Sequence, residues 1–457
     1  MANKASFIAG LAPVLLLFSS QVAALPYQSL SPRILSMGGV GVASGDESGA
    51  AFTNPALLAS SPEVEGFRVV LPVLGRSFSD PDGLLDKTDS YQAAGLEANL
   101  TEAIVAYEEL DASSVRITDA TEDVLEVKAA AQSVADVSQL MLDELQKITG
   151  RPVQGEFLSG VTIRIPNKRL AASLIMDSRV VAGGVFVFSD EVLLQGVVDA
   201  ATTSANAEDQ DQLDALEQNT VIAGQILPEE DVEPVNAVEN LTSNLSARGA
   251  IVSEIGLVLS REVVVAGHDV AVGVTPKLVK VQTFHYVQGI NTASFDTDLG
   301  RREYTDFNFD IGLAKSFGNG WRTGLAVMNL LGKAYDTRPY SSVSEVTPVP
   351  AVFKIDPQVR LGVSYGHEKF TLAADFDVTE NDSAGFEPST QYVGLGAELA
   401  LSDWGQLRAG YRHNLSDADD DMPSLGFGFS PFGVRIDMAV AANDDKEVFS
   451  FQLGFNF

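Results

Sequence analysis

Apolar and polar side chains alternate one for one through much of the chain. In Val448 to Phe457, the apolar residues Phe449, Phe451, Leu453, Phe455 and Phe457 are separated by Ser450, Gln452, Gly454 and Asn456. Successive side chains of a strand point to opposite faces, so this spacing predicts a strand with one oily face and one polar or small face. The rhythm recurs. Phe370, Leu372, Ala374, Phe376 and Val378 alternate with Thr371, Ala373, Asp375, Asp377 and Thr379, and Val359, Leu361, Val363 and Tyr365 with Gln358, Arg360, Gly362 and Ser364. Leu407, Ala409 and Tyr411 alternate with Arg408, Gly410 and Arg412, and Val434, Ile436, Met438 and Val440 with Gly433, Arg435, Asp437 and Ala439. Apolar residues outward with glycine and charge inward is the pattern of a transmembrane β-barrel.

Candidate strands fall near residues 64–74, 156–166, 169–189, 247–260, 268–287, 304–317, 320–331, 353–365, 369–380, 390–401, 405–414, 422–430, 432–442 and 446–457. That makes 14, the even number expected of a bacterial single-chain barrel. The joints alternate in length. Tight ones read PNKR, FGNG, GHEK, SDWG and SPFG, with the turn chemistry of glycine, proline and asparagine. Between them lie longer polar ones such as NLSDADDDMPS and AANDDKE. Short turns on one rim and long loops on the other fit an outer-membrane barrel whose termini are periplasmic. The predicted fold is therefore all-β and transmembrane, a monomeric 14-stranded antiparallel outer-membrane β-barrel over 63–457 with an N-terminal plug and an α-helical extracellular insertion.

Two insertions break the rhythm. Over about 84–150 the sequence is acidic, and Val127, Ala131, Val134, Val137, Met141, Leu145 and Ile148 recur every three or four residues. That stripe predicts a helical hairpin packing on itself or on the barrel rim, either a solvated cap or a partner-binding surface. The second, over about 200–246, reads as a polar acidic loop.

The first 24 residues change the picture of where the chain goes. Lys4 is followed by an apolar run, Phe7 to Phe18, and by Val22, Ala23 and Ala24. This predicts a secretory signal peptide over 1–24, too short to span a bilayer as a helix. No later run of about 18 apolar residues offers a helical membrane span. With no cysteine in the chain there is no thiolate metal site and no redox motif, and the four histidines, His268, His285, His367 and His413, form no ligand-like pair. We expect no metal and no cofactor. A net charge of −32 argues against nucleic acid as a partner.

Residues 25–62 contain the stretch MGGVGVASGDESGAAFTNPALLA. A phosphate-binding loop needs a lysine that is missing here, and Gly39 and Gly41 supply only a bare GxG of a dinucleotide fingerprint. In the NPALLA segment Asn54 suits a helix cap and Pro55 the first helical position. Preceded by glycines, such a segment folds without width and suits a plug inside a barrel, the alternative being an extension outside it. The stretch resembles the N-terminal region of the long-chain fatty-acid transporter (FadL/TodX-like) superfamily of 14-stranded barrels, whose hatch carries an Asn-Pro-Ala motif. Nearly the whole mature chain, least closely the acidic insertions and including DPQVRLGVSY, LRAGYRHNL and FSFQLGFNF, is similar to the TraF-like conjugal transfer barrel family within it. The resemblance implies a hatch role for Asn54, Pro55 and Ala56, and the glycines before them, Gly38, Gly39 and Gly41, are expected to take part in ligand gating. It also implies two functions: passive uptake of a hydrophobic molecule, or a surface or assembly role in conjugal transfer without transport.

Alternation places Asp310, Arg360, Asp375, Asp377, Glu398, Arg408, Arg412, Arg435 and Asp437 on the lumen side. Opposite charges on neighbouring strands can pair, so these residues either fill and stiffen the lumen or form a polar path. No catalytic residue is expected. GVSYG, residues 362–366, matches a nucleophile-elbow pattern, but a turn and a strand follow it instead of a helix. His413 sits at a strand end beside the acidic run Asp417 to Asp421, which reads as a solvated loop or a divalent-cation bridge to lipopolysaccharide. Other expected partners are outer-membrane lipid and the barrel-assembly machinery, the latter through the final strand ending in Phe455 and Phe457.

Overall fold

The computed structural model describes residues 22–24, 31–59, 68–110, 114–118, 121–165, 170–219, 242–289, 298–344, 346–382, 389–417 and 420–456. Most of the expected signal peptide, the centre of the second insertion and Phe457 lie outside them.

Fourteen wall strands, each hydrogen-bonded to the next, close into a barrel. They are β1 Arg68–Ser79, β2 Pro152–Ile165, β3 Ala171–Val187, β4 Asn244–Val265, β5 His268–Gly289, β6 Arg301–Ser316, β7 Trp321–Met328, β8 Gln358–Gly366, β9 Phe370–Asp377, β10 Tyr392–Ser402, β11 Gly405–Asn414, β12 Met422–Phe429, β13 Val434–Ala442 and β14 Lys446–Asn456. All neighbours are antiparallel, and the antiparallel pair β14 and β1 closes the ring. Closure removes the unpaired edges that an open sheet would expose to hydrocarbon. Leu361, Phe376, Leu395, Leu407, Leu425, Met438 and Phe449 are exposed on the outer wall, while alternate residues such as Asp375, Arg408, Ser424, Asp437 and Ser450 are buried. No helix among the described residues is long and apolar enough to cross a membrane.

β1 carries one extra residue. Between Val70 and Val73 it advances three positions while β14 advances two, from Gly454 to Gln452, and β2 advances two, from Thr162 to Gly160. Both neighbours stay in step, so the bulge belongs to β1 and spans Leu71 and Pro72, where proline supplies no N–H to the ladder. A one-residue slip exchanges the two faces, and Val70 and Val73 both end up buried.

One rim carries tight turns, such as Ala266 and Gly267, both at positive φ. The opposite rim carries the long connections. Helices α3 Leu84–Ala94, α4 Leu96–Glu108 and α5 Thr121–Ile148 form a cap there. α5 is about 40 Å long at 1.5 Å per residue, and Val127, Ala131, Val134, Met141, Leu145 and Ile148 face the cap core. The second insertion differs from expectation. Helices α6 Glu191–Ala205 and α7 Gln210–Leu213 occupy its first part, and Leu194, Val197 and Ala201 of α6 bury against the same core. Their three-to-four spacing begins directly after a strand, where the acidic residues that follow mask it.

The predicted strand 353–365 is two elements. Val352–Ile355 pairs antiparallel with Lys333–Asp336 inside the barrel, and β8 starts only at Gln358. Tyr335, Phe353 and Ile355 of this inner pair pack on Val181, Ala250, Val252, Val279 and Val281 of the wall. In the full-length chain Val22–Ala24, the end of the expected signal peptide, lies parallel to Val352–Lys354. One part of the lumen near the long-loop rim is thus apolar, while Glu156, Thr283, His285 and Lys446 keep buried polar groups at the same end.

Candidate functional site: the plug and its charged seat

Residues 31–59 fold inside the barrel as α1 Pro32–Ser36, α2 Glu47–Thr53 and a 3-10 turn, Pro55–Leu58. Pro32 and Pro55 start their turns with a preset φ and no orphaned N–H. Asp46 caps α2 by accepting from Gly49 N (2.9 Å), and Asn54 caps the 3-10 turn by accepting from Ala56 N (3.0 Å). The Asn54 amide donates to Val42 O (2.8 Å) and to Leu313 O of β6 (3.0 Å), so one side chain joins two parts of the plug to the wall.

The plug meets the wall backbone to backbone. A Cβ on Gly410 would lie 2.0 Å from Gly38 N, one on Gly324 2.2 Å from Val42 O, and one on Gly273 2.3 Å from the Pro55 carbonyl carbon. Gly312, Gly394 and Gly426 are similarly tight, against Asn54, Gly38 and Ser36. The lumen-side glycines therefore form a belt into which only a chain without intervening side chains can press. On the plug, Gly38 and Gly39 adopt φ of 70° and 82°, the left-handed region, and Gly38 N donates to Ser424 Oγ (3.1 Å). Gly41 N and Val42 N donate to the same Asp375 oxygen at 2.7 and 2.9 Å. Pro55 and Ala56 press against the wall at Gly273, with Ser260 Oγ donating to Ala56 O at 3.0 Å.

Charge holds the other side of the plug. Arg33 grips Glu398 with Nε (2.9 Å) and a terminal nitrogen (3.0 Å), and its remaining nitrogen donates to Ser44 O (2.6 Å). Glu398 also accepts from Arg408 (2.6 Å), Arg408 from its other side reaches Asp437 (2.7 Å), Asp437 accepts from Arg435 (2.5 Å), and Arg435 returns to Asp46 of the plug (2.7 Å). Six charges of alternating sign run from plug to wall and back. Burial pulls the Arg33 guanidinium down, but the charges of Glu398 and Asp46 outweigh it and leave its pKa above the ordinary arginine value. A cavity of about 400 Å³ opens beside this ring, lined by Arg33, Asp46, Arg68, Glu398, Arg408 and Arg435.

The remaining inward charges sit elsewhere. Arg360 pairs with Asp377, which also accepts from Tyr392 N (3.1 Å), and Arg412 lies 4.2 Å over the Tyr392 ring. Asp310 meets Lys277 (3.0 Å) and Asn329 N (2.8 Å) on the far side of the barrel. Arg33, Asp46, Lys277 and Glu254 were missed by sequence reasoning. The first two lie in a segment without alternation, and Lys277, paired to Glu254 at 3.0 Å, sits in a run of valines that hides its parity. Ser364 faces the plug and donates to Ala43 O (3.0 Å). His413 shares Asp421 with Tyr411 (2.6 Å each) at the long-loop rim, and Phe455 pairs between Val434 and Val69. No group of three or more metal-ligating His, Cys, Asp or Glu residues occurs among the described residues.

Residues 51–377 match the family model described as the TraF protein of the F plasmid transfer operon. The chain belongs to this TraF family. No curated protein matches it in sequence. Among solved structures, the TraF-family chain is similar to a TodX monoaromatic hydrocarbon channel mutant (10% identity, 93% of this chain and 99% of that one, TM-score 0.48). It is also similar to the P. putida toluene transporter TodX (11%, 94% and 99%, TM-score 0.45) and to a Pseudomonas aeruginosa FadL homologue (13%, 95% and 99%, TM-score 0.44).

Proposed function

We propose that this TraF-family barrel is a passive outer-membrane channel for a hydrophobic small molecule, closed by its plug. The observation that carries the reading is the β1 bulge. At Leu71 and Pro72 the wall ladder is interrupted, and directly inside it lies an apolar patch of Val70, Val73, Leu158, Met422, Ala439, Ala441 and Val448 that includes Leu35 of the plug. An interrupted ladder is a weak point of a closed wall, and an apolar patch behind it offers a dissolved hydrocarbon a path beside the charged seat, whose cavity Val70 also lines. The apolar inner pair near the long-loop rim supplies the entry compartment on this reading. Residues 1–24 direct export, the short-turn rim and both termini face the periplasm, and the cap faces outward against lipopolysaccharide. The final strand through Phe455 and Phe457 addresses the barrel-assembly machinery. Uptake of radiolabelled fatty acid and toluene by vesicles holding the wild type or a variant lacking residues 38–56 tests the proposal. Unequal uptake supports a gated path, and equal uptake discards it.

A second reading, a surface component of conjugal transfer without transport, is favoured by the family and by the cap, whose helices share a core of their own. Deleting residues 84–150 and measuring conjugation frequency separates the two. A loss of conjugation with unchanged hydrocarbon uptake supports the second reading.

A further inference from the structure

A second cavity, of about 360 Å³, opens at the short-turn rim on the other side of Arg33. It is lined by Arg33, Ser44, Ser316, Trp321, Arg322, Ser364 and the glycines of two tight turns, Gly320 and Gly366. Among the described residues no carboxylate lines it. Arg33 is already committed to Glu398, but Arg322 of β7 makes one hydrogen bond, Nε to Ser316 Oγ at 3.2 Å, and no ion pair among the described residues. This contrasts with Arg33, Arg360, Arg408 and Arg435, each of which holds a carboxylate. The Ser44 hydroxyl adds an independent sign. It belongs to the plug, is only 7% exposed and has no hydrogen-bond partner among the described residues. A buried hydroxyl left unpaired is destabilising until a partner reaches it, and Ser44 is part of the cavity lining.

We propose that this cavity is a binding site for a small oxyanion, a phosphate or carboxylate group held between Arg322 of the wall and Ser44 of the plug. The planar guanidinium fork offers two parallel N–H donors, which match paired oxygens and not a spherical halide. Ser44 donates a third hydrogen bond, and the positive potential of Arg33 favours the same charge. Because the two anchors belong to wall and plug, an occupied site clamps the plug shut, as any ligand that binds only the closed form must. The site lies on the opposite side of Arg33 from the charged seat and does not depend on the transport reading.

The chain has two tryptophans, Trp321 and Trp404, so Trp404→Phe leaves Trp321 in the cavity lining as the sole indole reporter. The full-length protein in detergent is titrated with sodium phosphate, then acetate, then octanoate, with chloride keeping ionic strength constant. Saturable fluorescence change is expected, weakened about tenfold or more by Arg322→Gln, the loss of a charged hydrogen-bonding partner. Ser44→Ala is expected to weaken it a few-fold, and because it removes only an unpartnered hydroxyl it tests the site even if Arg322→Gln fails to fold. Octanoate binding about tenfold tighter than acetate assigns the site to the head group of an amphiphile, and equal binding assigns it to a free anion. A linear, non-saturating response, or one unchanged by both substitutions, overturns the site.

Discussion

Gly410→Ala tests whether the plug is seated as closely as the backbone contacts state. The added methyl carbon would lie 2.0 Å from Gly38 N and 2.2 Å from the Met37 carbonyl carbon. Ordinary contact between such atoms is about 3.5–4.0 Å, so the plug must retreat by about 1.5 Å. Both clashing atoms are backbone, and Gly38 sits at a positive φ that leaves it little room to adjust. Overpacking of this kind costs about 1–3 kcal/mol, and the retreat stretches the Gly38 N to Ser424 Oγ bond, about 1 kcal/mol more. A total of about 2–4 kcal/mol converts to about thirty- to several-hundred-fold more of the open plug. The chain contains no cysteine, so Ala51→Cys on the buried face of α2 gives a single thiol whose maleimide labelling rate reports plug opening. We expect Gly410→Ala to raise that rate at least about thirty-fold, with the barrel's strand signal in circular dichroism intact. An unchanged rate would refute the seating of plug against wall.

Other substitutions probe the remaining layers. Glu398→Gln leaves Arg33 and Arg408 facing each other without their shared carboxylate, and is expected to cost about 1.5–3 kcal/mol and to raise labelling of the same plug thiol. Leu145→Ala in the cap core should cost about 2–5 kcal/mol and melt the helical signal at 222 nm while the barrel stays folded, since α5 buries it against other helices. Leu425→Arg, on the outer face of β12 and 62% exposed, should cost about 2–4 kcal/mol in bilayers if that face lies at the membrane midplane. Equal refolding yields for this variant and the wild type in lipid vesicles would contradict a lipid-facing wall.

Alternation alone was enough to place fourteen strands, to sort short joints from long ones and to assign the face on which Arg408, Asp437 or Asp375 sits. A period of two is a local property, and a closed wall with a lipid-facing side enforces it residue by residue. The α5 stripe was legible for the same reason at a period near 3.6. What lay beyond the sequence was everything set by contacts between distant segments. The Leu71–Pro72 bulge is defined only by two neighbours that stay in step across it, and the inner pair Lys333–Asp336 and Val352–Ile355 is indistinguishable by period from the wall. The partners of Arg33 and Asp46 lie more than 350 residues away, since Glu398 and Arg435 reach them only after the barrel closes around the plug. The glycines at 312, 324, 394, 410 and 426 read as small inward residues, and only the tertiary structure makes them a belt, because the constraint on each is the backbone of a segment threaded through the lumen.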